Sequence, residues 1–536
     1  VFDLKLVNAN VVTVDGRRPR ARSVAISGNR IAALDADGPA HRVIDLDGAT
    51  VTPGFHDAHN HMAWYGLTLS EVDLRSPGIG SLEQLYRAIA DRSGGPGWVL
   101  GSGYDQNKIG GHPDRDALDR AAPGQRVWLK HTSGHMCVVN SLVLQDLGMA
   151  DRAVDVPGGL VVTDAAGRPT GLLQEQAQQL VNELVLPYPV STLVDAIDLA
   201  GQQYLREGIT SCVEAGIGGG WIGKSPVELA AYQSAREQRR LRVRVELMIA
   251  ADALHPLAAH AEDDITLGLD LGLRTGFGDD WLRIGPVKVF SDGSLIGHTA
   301  AMCHDFADSP GERGYLQDDA DRLRATILAA HRSGWRVATH AIGDAAIDLV
   351  LEAYAEALDR FPRYNHRHRI EHFGVSRPDQ VARAAELGVI PVPQGRFAHE
   401  IGDGMLRALG PERVPWAYRQ RSLLDAGIIV PGSSDRPVVH GAPLLGMHDM
   451  VNQLTSAGRP FNPTEAVSAA EALRAFTYGS AYASGEEDRK GTVTPGKLAD
   501  LTVLSEDPTA VDPGRIRDIQ VLATFVDGRR AFGLDG

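Results

Sequence analysis

Residues 51–61 read Val51-Thr52-Pro53-Gly54-Phe55-His56-Asp57-Ala58-His59-Asn60-His61. A short β-rich run, Val51 to Phe55, passes directly into two histidines spaced two apart. In an extended chain, positions i and i+2 share a side, so both imidazoles can meet one metal ion. A bare His-x-His more often hydrogen-bonds within a loop, so its meaning depends on the rest of the chain.

Seven further β-rich runs lie downstream, at Ile209 to Val213, Val243 to Ile249, Leu282 to Phe290, Arg336 to Thr339, Arg369 to Phe373, Val389 to Val392 and Ile428 to Pro431. Amphipathic stretches separate them; in one, Ile347, Val350, Leu351, Tyr354 and Leu358 recur at helical spacing. Repeated strand-then-helix units imply parallel strands, and eight of them close into a (β/α)8 TIM-like barrel of the α/β class. Both chain ends differ. Leu4, Leu6, Val11, Val12 and Val14, then Ala499 to Leu504 and Ile519 to Phe525, alternate like antiparallel strands. The expected division is therefore a small β-sandwich domain from residues 1–52 and 489–536, a barrel over 53–455, and a helical connection at 456–488. A large insertion after the first barrel strand, at about 66–205, is expected to cover the barrel mouth.

The 536 residues carry a net charge of −15, from 53 basic and 68 acidic side chains. That field does not attract phosphate backbones or anionic lipid, which points away from nucleic acid and membranes and towards a small-molecule substrate. Cys137, Cys212 and Cys303 are too few for a disulfide framework and read as reduced thiols of a cytoplasmic protein. No run reaches the roughly 18 apolar residues of a bilayer span. Residues 1–10 show no basic leader pattern. Base rates favour a homodimer.

Further candidate ligands fall at the ends of later strands. His340 ends Val337-Ala338-Thr339, His372 ends Arg369-Ile370-Glu371, and Asp435 comes after Ile428 to Gly432. In a barrel of this kind, carboxyl-terminal strand ends converge on the active site. Four imidazoles and one carboxylate suit zinc, manganese, iron or nickel. Lys288, one of only seven lysines, lies in the apolar run Pro286-Val287-Lys288-Val289-Phe290, where an unpaired ammonium is costly to bury. An ion pair with Asp292 is one answer.

At these residues the sequence resembles the amidohydrolase superfamily of metal-dependent hydrolases. The matching features are the Pro-Gly-Phe-x-Asp-x-His-x-His opening, Lys288, His340, His372, Asp435 and the closing Gly491 to Asp500. Lys288 to Gly293, Thr339 to Asp344 and the large insertion look most like the amidohydrolase family 3 branch that contains N-substituted formamide deformylases. The resemblance implies two divalent metal ions, zinc first, with a carbon dioxide-derived carbamate on Lys288 bridging them. His59, His61 and Asp435 would hold one ion, and His340 and His372 the other. A metal-bridging hydroxide would attack an amide or cyclic amide, and Asp435 would serve as general base and then acid. His135 would donate to the substrate carbonyl, and Tyr104, Asp292, Gln394 and Arg396 would line the substrate pocket. Glu175 matches the branch without an assigned role.

Two other readings compete. A mononuclear deaminase of the same superfamily needs no carboxylated lysine. Gly218-Gly219-Gly220-Trp221-Ile222-Gly223-Lys224-Ser225 fits the phosphate-loop pattern and lies between a strand and a helix, as in a nucleotide-binding protein.

Overall fold

A computed structural model describes residues 1–534 except Pro77, Pro96, 133–135, 157–158 and 220–221; the side chains of Asn107 and Ala261 are likewise left aside. The chain divides into two compact units, Ala63–Ala200 and the remainder.

The larger unit is organised by seven parallel strands: β1 (Phe55–Asn60), β2 (Ile209–Ile217), β3 (Arg244–Ala250), β4 (Leu282–Phe290), β5 (Val337–Ala341), β6 (Arg369–His372) and β7 (Ile390–Val392). They are hydrogen-bonded in that sequence order, from β1 at one edge to β7 at the other. Every residue of β2 and β3 is buried, as expected for parallel strands covered on both faces. Helices fill most of the crossovers, whereas the one from β3 to β4 holds only short 3-10 turns and a two-stranded ribbon. Asp344–Arg360, between β5 and β6, buries Ile347, Val350, Tyr354 and Ala357 along one stripe. Ala320–Arg332 starts where Asp319 accepts from the amides of Asp321 and Arg322.

The ring closes without a regular eighth strand. Residues 432–436 take that place through scattered bonds: Ala58 N to Gly432 O at 2.9 Å, Asp435 N to His59 O at 2.7 Å and His61 N to Arg436 O at 2.8 Å. The expected strand Ile428 to Pro431 is not formed, and Pro391, Pro393 and Pro431 supply the reason, because none can donate to a ladder. The result is a nearly closed barrel.

The first strand also begins later than expected. Thr50–Pro53 pairs with Leu501–Leu504, and only Phe55–Asn60 enters the barrel. Gly54 lies at the crossing point, where a Cβ would fall 2.2 Å from Thr210 Oγ1. Strands from both chain ends thus share one six-stranded sheet, which runs Arg529–Gly533, Val521–Val526, Leu501–Leu504, Thr50–Pro53, Asn10–Val12, Arg20–Ala21. A four-stranded sheet from residues 2–45 shares its core: Leu4, Leu6, Val24 and Ile26 join Val51, Leu501, Val503 and Phe525 in one buried cluster.

The Ala63–Ala200 unit has its own six-stranded sheet. It includes Trp98–Tyr104, Arg126–His131, Met136–Val139, Gly159–Thr163 and Pro169–Glu175. Leu85, Ile89 and Leu118 belong to one of the unit's apolar clusters, Val143, Leu144 and Val181 to another.

Candidate metal centre

β1, β6 and the 432–436 segment each deliver one donor to a common point. Ligand atoms of His59, His372 and Asp435, all buried, lie within 4.8 Å of one another. His61 joins through Asp435: its Nε2 is 3.1 Å from Asp435 Oδ1, and His59 Nε2 is 3.3 Å from the same oxygen. The rings of His59 and His61 are edge-on with centroids 5.6 Å apart, and those of His340 and His372 are 4.5 Å apart. His372 and Asp435 adopt φ of 71° and 60°. Left-handed backbone costs a non-glycine residue about 1–3 kcal/mol, so the surrounding structure holds both donors against local preference.

The hydrogen bonds fix which nitrogen each histidine offers. Gln394 Nε2 donates to Val392 O at 2.9 Å, which turns its Oε1 towards His372 Nδ1 at 2.7 Å. An amide oxygen only accepts, so His372 carries its proton on Nδ1 and keeps a lone pair on Nε2. Glu371 does the same for His59 by facing Nδ1, while His59 Nε2 is buried without a hydrogen bond. His340 Nε2 lies 3.0 Å from Gly293 O, which leaves Nδ1 as its lone pair.

Electrostatics agrees with a cation-binding set. His59 and His61, whose Nε2 atoms face it at 3.3 and 3.1 Å, hold the Asp435 carboxyl well below its ordinary value against its burial. Burial pushes His372 down to about 3, so it is a neutral donor at physiological pH, and burial beside His372 and Lys288 pushes His340 far down as well. Burial works against a charged His61, yet its bonds to Asp435 and Glu214 carry its pKa above the ordinary value. Lys288 is buried with Nζ 4.8 Å from the Phe290 ring centre, and burial lowers its pKa to about 8 against the pull of Glu371 and Asp435.

This donor set of nitrogens with free lone pairs and an ionised carboxylate fits a divalent transition metal. The tight cluster comprises His59, His372 and Asp435; His340 and Lys288 stand beside it on neighbouring strands, with Lys288 paired in register with Ala338 and Phe290 with His340.

The residues expected to line the substrate pocket make the following contacts. Gln394 is fully buried and orients His372, with a second bond from Nε2 to Ser433 Oγ at 3.2 Å. Arg396 is committed to Asp449 at 2.5 Å and Glu400 at 2.7 Å. Asp292 accepts from the amides of Ala301, Ile342 and Gly343 at 2.8–3.0 Å, and so folds the loops after β4 and β5 rather than pairing with Lys288. Burial raises its pKa to about 7. Tyr104 lies in the smaller unit, buried, with its hydroxyl 3.2 Å from His112 Nδ1. His135 lies outside the described residues. Glu175 is exposed at a φ of 49°.

Glu371 and Glu214 are the participants that sequence reading passes over. Glu371 accepts two bonds from Arg369 at 2.8 Å, and this keeps it ionised opposite His59. Glu214 stands 3.6 Å from His61 Nδ1 and accepts from the Tyr232 hydroxyl. The signal for Glu371 was present: Arg369 and Glu371, two apart, put opposite charges on one side of a buried strand.

In the phosphate-loop candidate, the amides of Gly218 and Lys224 both donate to Glu228 Oε2, at 3.3 and 2.9 Å. The chain's own carboxylate stands where a phosphate would accept. Gly220 and Trp221 of that motif lie outside the described residues.

Comparison with known proteins agrees with the geometry. A family profile described as amidohydrolase family matches residues 42–532. The N-substituted formamide deformylase of Arthrobacter pascens is 32% identical over 545 residues, covering 98% of this chain and 97% of its own. Crystal structures of two uncharacterised metal-dependent hydrolases are similar. That from Pyrococcus horikoshii has a TM-score of 0.78 at 26% identity, covering 95% of this chain and 99% of its own. That from Pyrococcus furiosus has a TM-score of 0.76 at 28%, covering 94% and 99%.

Proposed function

The chain belongs to the amidohydrolase family and is a hydrolase of carbon–nitrogen bonds other than peptide bonds; from that premise we propose that it cleaves an amide or cyclic amide of a small molecule, with Asp435 as general base and acid. The convergence of His59, His372 and Asp435 carries this reading. In it, His59, His61 and Asp435 would hold one divalent ion and His340 and His372 a second, zinc being the first candidate, and a carboxylated Lys288 would supply a further anionic ligand. When bound, such ions polarise the scissile carbonyl and lower the pKa of water.

The chain's own residues do the rest. Asp435, kept ionised by its histidines, takes a proton from the attacking water as oxygen bonds to the carbonyl carbon. The same carboxyl then gives that proton to the departing nitrogen as the C–N bond breaks, which releases a carboxylic acid and an amine. Lys288 suits carboxylation because carbon dioxide reacts with a neutral amine. With a pKa of about 8, roughly one molecule in ten has that amine neutral at pH 7, against fewer than one in a thousand for an exposed lysine. The formamide deformylase relative makes N-substituted formamides the first substrates to assay. The expected setting is cytoplasmic, with the small molecule as the partner and a homodimer as the assembly.

A one-ion deaminase is the second reading, favoured by the three-donor tight cluster and by His340 Nε2 being turned to Gly293. Metal per chain in the wild type and Lys288→Ala, with amide hydrolysis and ammonia release assayed in parallel, separates the two. About two ions, falling in Lys288→Ala together with amide turnover, supports the two-ion hydrolase. One ion, unchanged in Lys288→Ala, with ammonia as the product, overturns it.

A further inference from the structure

At the opposite, amino-terminal end of the barrel strands lies a cavity of about 500 Å³. Five arginines line it, Arg274, Arg283, Arg332, Arg336 and Arg363, with Glu246 as the one carboxylate among its lining residues. Two of the five have acidic partners. Arg283 pairs with Glu246 at 3.0 Å and Glu486 at 3.3 Å, and Arg332 pairs with Asp264 at 2.6 Å.

The other three have no carboxylate within ion-pair distance among the described residues. Arg336 donates to Ser484 O at 2.9 Å, and Arg363 to Trp335 O at 2.8 Å and His331 O. The Arg274 side chain makes no hydrogen bond or ion pair among the described residues. The backbone makes room for two of these guanidiniums. A Cβ at Gly334 would fall 2.4 Å from Arg274 Nη1, and one at Gly485 would fall 2.6 Å from Arg336 Nη2. Both glycines also sit at positive φ, +89° and +69°, so neither position readily accepts another residue.

We propose that this cavity binds a multivalent oxyanion, the chemistry shared by phosphorylated and polycarboxylated small molecules. Guanidinium forks match phosphate and carboxylate oxygens in pairs, and partly desolvated like charges require a counter-anion. Burial lowers the pKa of Arg363, and Arg274 and Arg336 lower it further. Burial also lowers that of Arg336, with Arg283 and Arg367 adding to the effect against Glu246. The chain is acidic overall, at −15, yet none of these three forms an ion pair with a carboxylate among the described residues. A volume of about 500 Å³ lies within the common range for small-molecule sites, so the ligand is larger than a lone phosphate. The cavity is distinct from the metal centre: Arg283 and Lys288 lie five residues apart on β4, about 16 Å along the strand.

Calorimetric titration of the metal-loaded enzyme at low ionic strength tests this, with phosphate, pyrophosphate and citrate in separate arms. Saturable binding is expected, tighter for pyrophosphate or citrate than for phosphate, and the stronger of the two identifies the ligand class. Arg274→Gln, at an exposed side chain without partners, should weaken it about tenfold, and Arg363→Gln should do the same. Binding to the active-site metals would be indifferent to Arg274→Gln. Equal affinity in wild type and Arg274→Gln, or no saturable heat in any arm, overturns the proposal.

Discussion

Gln394 and His372 fix one another: Oε1 of the glutamine accepts from Nδ1 of the histidine at 2.7 Å, with both side chains buried. The amide cannot flip, because its nitrogen is spent on Val392 O and Ser433 Oγ. His372 therefore presents Nε2 as an acceptor at all times. Removing the anchor in Gln394→Leu leaves the ring free to choose the other tautomer. Metal affinity should fall about 10–100-fold with little change in Tm, since groups that orient a ligating histidine contribute on that scale. Equilibrium dialysis against a competing chelator checks this, and wild-type affinity in the variant would refute it.

The ionic contact between Arg244 and Asp500 ties the foot of β3 to the terminal sheet. Arg244 donates to Asp500 at 2.6 and 3.0 Å and to Asp527 at 3.0 Å, and Arg244 and Asp500 are almost wholly buried. Truncating Asp500 removes two of the buried guanidinium's charge-assisted bonds and leaves it only Asp527 and Asp280 O. Asp500→Ala should cost about 3–5 kcal/mol in urea unfolding, whereas Arg244→Met with Asp500→Leu should recover much of the loss. A single-variant loss below about 1 kcal/mol would show that the pair is solvated and of small consequence.

The barrel was legible because strands buried on both faces leave long apolar runs, as Val243 to Ile249 does. β1 was legible only in part. Its His-Asp-Ala-His-Asn core has weak strand propensity, and it is extended because β2 pairs with it, so its start was placed one crossing too early. The candidate donors stand out in the sequence because His59 and His372 fall near the ends of β1 and β6, and Asp435 in the segment that takes the place of an eighth strand. Glu371 could not be tied to His59, 312 positions away, by any local pattern. Gln394 and Arg396 were visible as polar residues after β7, but nothing local distinguishes a side chain that lines a pocket from one that holds a neighbour in place.

Glu228 decides how the glycine-rich loop behaves. Its buried carboxylate accepts from the amides of Gly218 and Lys224, and burial with Glu214 nearby raises its pKa to about 7. A nucleotide phosphate would have to displace a carboxylate of the same chain. Lys224→Ala should leave any binding of ATP or GTP unchanged, and turnover within about twofold of wild type. Micromolar nucleotide affinity that disappears in Lys224→Ala would restore the nucleotide-binding reading.

Three histidines on the amino-terminal side of β5 and β6 set an acid limit on stability. His368 Nδ1 accepts from Val337 N at 3.0 Å, so its proton is on Nε2, 2.8 Å from His331 Nδ1. His331 Nε2 donates to Phe361 O at 2.8 Å, and His366 Nδ1 accepts from the amide of His368 at 2.9 Å. Every ring is thereby required to be neutral. Burial, with His366 and His331 adjoining, pushes His368 well below its ordinary 6.5, and burial lowers the other two as well. A depressed folded pKa means that the unfolded chain binds protons the folded chain refuses. Stability should hold above pH 6.5 and fall below it, with a limiting slope of about 1.4 kcal/mol per pH unit for His368. Tm measured from pH 7.5 to 5.0 at saturating metal should decline over that interval, and less steeply in His331→Gln. A Tm that is flat through pH 5.5, or a slope unchanged in that variant, would remove these histidines as the cause.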